Sequence, residues 1–361
     1  MVARAVLAGA ASLTLIAAAL VWPLSGRVPA REPPTAPCTS YYQRADPFVS
    51  ADGVHLCLAG RPWTLHGASV YNGYDDIETR IRLARAEGLN TLRLINYDDP
   101  RPVPPSTFIP DPSTFFDPSY WTRVDRDIAA ISAAGLKAIL DLSDYRDFLQ
   151  WLHINPYTVD WAPFLKFVAT RTNTVTRVRY ADDPTIALVT FAGEPVAINS
   201  SANTLHVSTQ EQVDFYRRTF AEWKSLDPYH LTASGGLAQI DWDSGIDWRA
   251  ITALPGGDVC TIVLYGDRSI FVVPGPVSAW CHQMGRPWIT EEFGFPDSVG
   301  DDVRAASFDA IYALNRNLGS AGASYWNLGL ETPRTPGSYD VNPTFPKTHL
   351  AVKANAPAGR P

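Results

Sequence analysis

Between residues 64 and 326 of this 361-residue chain, short apolar runs alternate with stretches whose apolar residues recur every three or four positions. Runs of that length read as strands, and the longer spacing reads as helices with one buried face. The strand candidates are residues 64–69, 91–95, 137–141, 186–191, 231–234, 259–264, 288–291 and 323–326. The clearest helices are residues 77–87, 121–134, 162–170, 210–225 and 303–318. Gly88 and Gly135 stand where a helix must stop and the next strand begin. A strand that returns through a helix lies parallel to its predecessor, so the pattern demands a parallel sheet. Eight such strands can form an open doubly wound sheet or close on themselves. An open nucleotide-binding sheet carries a glycine-rich phosphate loop after its first strand. Residues 70–76 hold no such loop, which selects the α/β class and a closed (β/α)8 TIM barrel. Ahead of it, Asp52-Gly53 and Gly60 mark the turns of a short N-terminal β-hairpin that would plug the bottom of the barrel.

The chain's net charge of −7 argues against nucleic acid as partner, because a phosphate backbone requires clustered Lys and Arg. Residues 1–30 read as an export segment, with Arg4 ahead of an uncharged stretch over residues 5–25 and small residues near Ala30. That stretch approaches bilayer-spanning length, so cleaved signal peptide and retained membrane anchor are both open readings. A proline-rich linker over residues 31–47, a catalytic-size domain over 48–350 and a disordered tail over 351–361 complete the expected organisation. Export gives the four cysteines meaning, since an oxidising compartment favours disulfides. Of the three connectivities, proximity favours Cys38–Cys57 with Cys260–Cys281. A metal site is not indicated, because no Cys-x-x-Cys or His-bearing ligand spacing occurs.

In a (β/α)8 barrel the chemistry sits at the C-terminal ends of the strands. Two strand ends present carboxylates: Gly193-Glu194-Pro195 after the fourth and Glu291-Glu292-Phe293-Gly294 after the seventh. One such Glu alone is more often a solvated loop residue. Two that converge across the barrel mouth meet the demand of a retaining glycosidase, which uses one protonated carboxyl and one carboxylate about 5–5.5 Å apart.

These motifs resemble those of clan A glycoside hydrolases, and within them the chain is similar to family 5, the cellulase and endo-β-mannanase family, over residues 48–350. The resemblance implies Glu194 as acid/base, matching the Glu-Pro of Asn-Glu-Pro, and Glu292 as nucleophile, matching Glu-aromatic-Gly. Glu291 would alternate to the opposite side of the strand. Arg93, in Thr91-Leu92-Arg93, matches the family arginine beneath the nucleophile, where a guanidinium favours the charged carboxylate. Tyr265 matches the tyrosine that hydrogen-bonds the nucleophile, and Trp326 the aromatic floor of the reacting-sugar subsite. Trp151, Trp161, Trp242 and Trp248 are candidates for outer subsites. Asn72, Asn96, Asp98, Asp141 and Asp144 lie at or beyond strand ends as further polar contacts, although turns and caps explain such residues equally well.

The match breaks at two points. Gly193 stands where the family has the Asn that binds the sugar 2-hydroxyl, and Val263 where it has a strand-six His. The expected protein is therefore a monomeric retaining β-glycoside hydrolase acting without metal or organic cofactor on an extracellular or cell-wall polysaccharide, with β-mannan or β-glucan favoured. The rival is a non-catalytic carbohydrate-binding barrel. A serine hydrolase is excluded by the lack of a Gly-x-Ser-x-Gly elbow.

Overall fold

The computed structural model describes residues 38, 47–71, 76–95, 111–119, 121–238, 240, 244–329 and 338–358. The expected export segment, most of the linker, Asn72, Asn96, Asp98 and Trp242 lie outside the described residues. No described helix is long and apolar enough to cross a membrane, a statement that does not reach residues 5–25.

The chain first forms a three-stranded antiparallel sheet of β1 (Ser50–Asp52), β2 (His55–Leu58) and β3 (Arg61–Trp63). The barrel strands follow: β4 (Leu65–Tyr71), β5 (Thr91–Ile95), β6 (Lys137–Asp141), β7 (Ile186–Thr190), β8 (Leu231–Ala233), β9 (Cys260–Leu264), β10 (Trp288–Phe293) and β11 (Gly322–Tyr325). All paired neighbours among them are parallel, in the order β8-β7-β6-β5-β4-β11-β10-β9. The ring closes between its two ends beyond the short β8. There Leu237 N donates to Thr261 O at 2.9 Å and Val263 N donates to Leu237 O at 3.1 Å. Each expected strand exists, with ends shifted by at most two residues.

Between the strands run α1 (Ile77–Glu87), α2 (Thr122–Ala133), α3 (Ser143–Trp151), α4 (Ala162–Thr170), α5 (Thr209–Leu226), α6 (Trp248–Ala253), α7 (Gly266–Val272), α8 (Pro274–Gln283) and α9 (Asp301–Asn317), with α10 (Pro346–Ala354) after β11. Local chemistry sets their ends. At α5, Ser208 and Glu211 form a reciprocal capping box, each side chain accepting from the other's backbone N–H. At α1, Gly88 adopts φ 78°, and its N–H closes the last turn onto Ala84 and Arg85 carbonyls.

Two apolar clusters result. The larger packs the helices onto the strands and includes Leu92, Leu140, Val189, Trp223 and Trp288. The smaller gathers Val49, just ahead of the N-terminal sheet, and Leu56 of that sheet against Leu65, Ile139, Leu188, Leu231 and Ile289, so the sheet covers the N-terminal end of the barrel. Each such side chain taken from water contributes roughly 1.5–3 kcal/mol. Cys38 is bonded to Cys57 on β2, and Cys260 on β9 to Cys281 on α8.

The tail departs from expectation. Residues 351–354 continue α10 instead of being disordered, because Ala351 and Val352 are buried and Asp301 caps the helix start by accepting from the backbone of Lys347 at 2.8 Å and Thr348 at 2.9 Å.

Candidate active site

Arg93 points from β5 into the barrel mouth, where side chains of three other strands meet it. Its Nε donates to Asp141 Oδ2 at the end of β6 at 2.8 Å, and Nη2 lies 2.6 Å from the same oxygen. Its Nη1 donates to Ser69 Oγ of β4 at 3.2 Å and to Glu292 Oε2 on β10. The other Glu292 oxygen accepts from the Tyr265 hydroxyl at 2.7 Å, directly after β9. Arg93 and Asp141 are buried and Glu292 is 7% exposed, so this ion pair sits in a weakly screened environment. Burial alone would lower the arginine's pKa; its acidic neighbours reverse that and hold it well above the usual value. Burial, reinforced by the Glu292 charge, pushes the Tyr265 phenol far up, keeping it protonated and a donor.

Glu194 lies in the loop after β7, at φ 49°, a left-handed conformation that costs energy for a residue with a side chain. Neighbouring elements hold it there. Glu194 N donates to Gly236 O at 2.9 Å, and Glu194 O accepts from Arg146 Nη1 on α3 at 2.9 Å. One residue earlier, Gly193 N donates to Ser143 Oγ at 2.7 Å, and Tyr216 donates to Ala192 O at 2.6 Å. The glycine at 193 has a steric cause: a Cβ there would lie 2.0 Å from Gly235 O. The Glu194 side chain reaches the open cleft yet is ringed by protein atoms. Dehydration, then the Glu292 charge, raises its carboxyl to about 7 against the opposing pull of Arg146 and Arg93. An acid poised there is protonated near neutrality and able to give its proton away.

Glu291 does not alternate to the far side of β10. The β9–β10 register slips between Thr290 and Glu292, leaving Glu291 as a bulged extra residue. Both consecutive glutamates therefore face Arg93, with Glu291 Oε1 3.2 Å from Arg93 Nε and fully buried.

Trp326 follows β11, half-buried, with its backbone N–H donating to Phe293 O at 2.7 Å, which ties it to the Glu292-Phe293-Gly294 segment. Trp161 is not at the rim but packs among Tyr145, Phe164 and Phe215, and Trp248 is buried against Trp280. Trp151 packs on Phe148 within α3. Asp141 joins the Arg93 cluster while also accepting from Ser143 N at 2.8 Å, so the capping and site readings both hold for it. Asp144 is buried in the first turn of α3. Ser143 and Arg146 were not anticipated, although their place just after β6 is a rim position by the strand-end rule. Tyr339 was also missed; its ring stands 5.6 Å from that of Tyr265, edge to face.

No family model matches the chain. It is 28% identical over 327 residues to mannan endo-1,4-beta-mannosidase 7 of Oryza sativa subsp. japonica, covering 74% of this chain and 83% of that protein. It is 25% identical over 348 residues to mannan endo-1,4-beta-mannosidase 5 of Solanum lycopersicum, covering 78% and 81%. Among solved structures, the endo-1,4-beta-mannanase of Rhizomucor miehei superposes with a TM-score of 0.69 at 21% identity, covering 86% of this chain and 99% of that one. A glycoside hydrolase family 5 mannosidase of the same organism gives 0.65 at 17% identity, covering 86% and 98%. The barrel, the glutamates at its fourth and seventh strand ends and the likeness to these enzymes together give the chain a resemblance to clan A glycoside hydrolases, and within them to family 5.

Proposed function

We propose that the protein is a retaining β-glycoside hydrolase that cleaves β-1,4-mannan or a closely related exported polysaccharide, with Glu194 as acid/base and Glu292 as nucleophile. The observation that carries this reading is the contrast between two neighbouring carboxyls. Glu292 is gripped by Arg93 and Tyr265, while Glu194, dehydrated and beside the Glu292 charge, is raised to about 7. A carboxyl raised into the range of a proton donor, beside one gripped by an arginine and a tyrosine, is what the acid–nucleophile division of labour requires.

In the first half-reaction Glu194 gives its proton to the glycosidic oxygen as Glu292 attacks the anomeric carbon, forming a glycosyl-enzyme and releasing the leaving sugar. In the second, ionised Glu194 takes a proton from water, whose oxygen displaces Glu292. Arg93 and Tyr265 hold the nucleophile's two oxygens, fixing its approach. Trp326, at the rim beside Gly294, offers an aromatic face to the C–H face of a pyranose ring. Mannan is favoured over β-glucan because the rice and tomato relatives are named as mannan endo-1,4-beta-mannosidases. Two disulfides suit work outside a reducing cytoplasm, in keeping with residues 1–30 as export segment and 31–47 as linker.

The test is Glu292→Ala assayed on β-mannan, with circular dichroism confirming the fold. Turnover should fall by roughly five decades or more, the scale of losing a covalent nucleophile. Hydrolysis at the wild-type rate would sink the assignment.

A further inference from the structure

Arg93 meets more negative charge than the reaction uses. Three carboxyls surround one guanidinium: Asp141 of β6 with Glu291 and Glu292 of β10. Only Glu292 has a role in double displacement, and Asp141 serves Arg93 through paired contacts from Nε and Nη2. Glu291 is in a different position. The Arg93 Nε–H already goes to Asp141, so Glu291, 3.2 Å away, feels the guanidinium's charge without receiving its proton. The β10 bulge puts it there; regular alternation would have turned it away.

Were all three ionised, the buried cluster would carry a net charge of −2 beside the cleft, and uncompensated buried charge is expensive. A proton on one carboxyl removes half of that excess. Asp141 and Glu292 have the guanidinium's hydrogen bonds; Glu291 does not. We propose that Glu291 is a positioning residue that keeps its own proton in the active enzyme, so that Arg93 stays committed to Glu292, and that its ionisation at high pH disables the nucleophile.

The surroundings agree from every side. Burial raises the Glu291 carboxyl to about 7; Asp141 and Glu292 reinforce that, while Arg93 and the Thr261 hydroxyl of β9 oppose it. Tyr216 of α5 also feels its charge. Glu194 is raised to about 7 as well, so two protons leave the enzyme in one pH window: one from the acid that meets substrate, one from the residue behind the nucleophile. Such neighbouring groups titrate as a set, and the pH–rate profile reports the set.

This inference rests on the retaining mechanism proposed above and adds a second proton to it. The experiment is kcat/KM on β-mannan across the alkaline limb. For the wild type, log(kcat/KM) should fall with a slope approaching about −2, and for Glu291→Gln, which is neutral at every pH, with a slope of about −1. A wild-type slope of −1 overturns the proposal without any variant having to fold. So does a slope of −2 that survives in Glu291→Gln, or a folded Glu291→Gln enzyme inactive at every pH. None of these touches the hydrolase assignment, which stands or falls on Glu292→Ala.

Discussion

Glu194 is held in a strained backbone conformation from two sides, by the Gly236 carbonyl and by Arg146. Arg146 therefore does two things at once: its hydrogen bond fixes the loop, and its charge pulls the Glu194 carboxyl down from where burial and Glu292 would put it. Replacing it by Met removes both. The acid becomes misplaced, so kcat on β-mannan should fall roughly 10- to 100-fold, the range lost when a proton donor is displaced. The charge effect has a definite sign. Arg146 lowers the pKa, so without it the acid stays protonated to higher pH and the alkaline limb moves upward. A purely structural role would reduce kcat without moving that limb. That Arg93, Tyr265 and Glu292 come together was legible because each stands in a recognisable triplet within or directly after a strand. Arg146 was not, because its contact is with a backbone carbonyl 48 residues away, and no local pattern announces such a bond.

The loops after β7 and β8 are packed backbone to backbone, which explains why the Asn expected before Glu194 is absent. A side chain at 193 would collide with the Gly235 carbonyl, and Gly235 itself adopts φ 101°, where only glycine is comfortable. Gly193→Asn should thus fail to improve the enzyme. We expect a lower melting temperature, with kcat/KM down at least about tenfold as Glu194 is pushed from its place; improved activity with unchanged melting would refute the steric account. Strands β5 and β6 were read to the residue because each is a short apolar run fed by a helix-stop glycine. The bulge at Glu291 was hidden, because a one-residue slip depends on how β9 pairs and leaves no mark in β10 alone. Helix α10 was equally hidden: its start is capped by Asp301, a carboxylate 46 residues upstream of the backbone it receives. Helix α8 was missed for a local reason, since Pro274-Gly275-Pro276 reads as a loop although proline suits a first helical turn.

At the scale of the molecule, covalent bonds support the ends of the packing. Cys260–Cys281 spans 21 residues and ties β9 to α8, the helix packed outside the last part of the ring. By loop-closure entropy such a crosslink stabilises by roughly 3 kcal/mol. Cys260→Ser/Cys281→Ser should accordingly lower Tm by several degrees in calorimetry, on the scale expected for a domain of this size. An unchanged Tm would mean that the β9–α8 packing suffices alone. The closure of the barrel has a further consequence. The short β8 reaches the β9 side only through Thr232, whose carbonyl accepts from Asp258 and Val259 N–H, and the rest of the seam is made by Leu237, with Gly235 and Gly236 lying just before it. Those same glycines are the surface against which Gly193 and Glu194 rest. Completing the ring and placing the Glu194 carboxyl are thus one event. On the proposed mechanism, heat that loosens this joint should stop turnover while circular dichroism still reports most of the helices, which would make the seam a fuse placed ahead of the scaffold it closes.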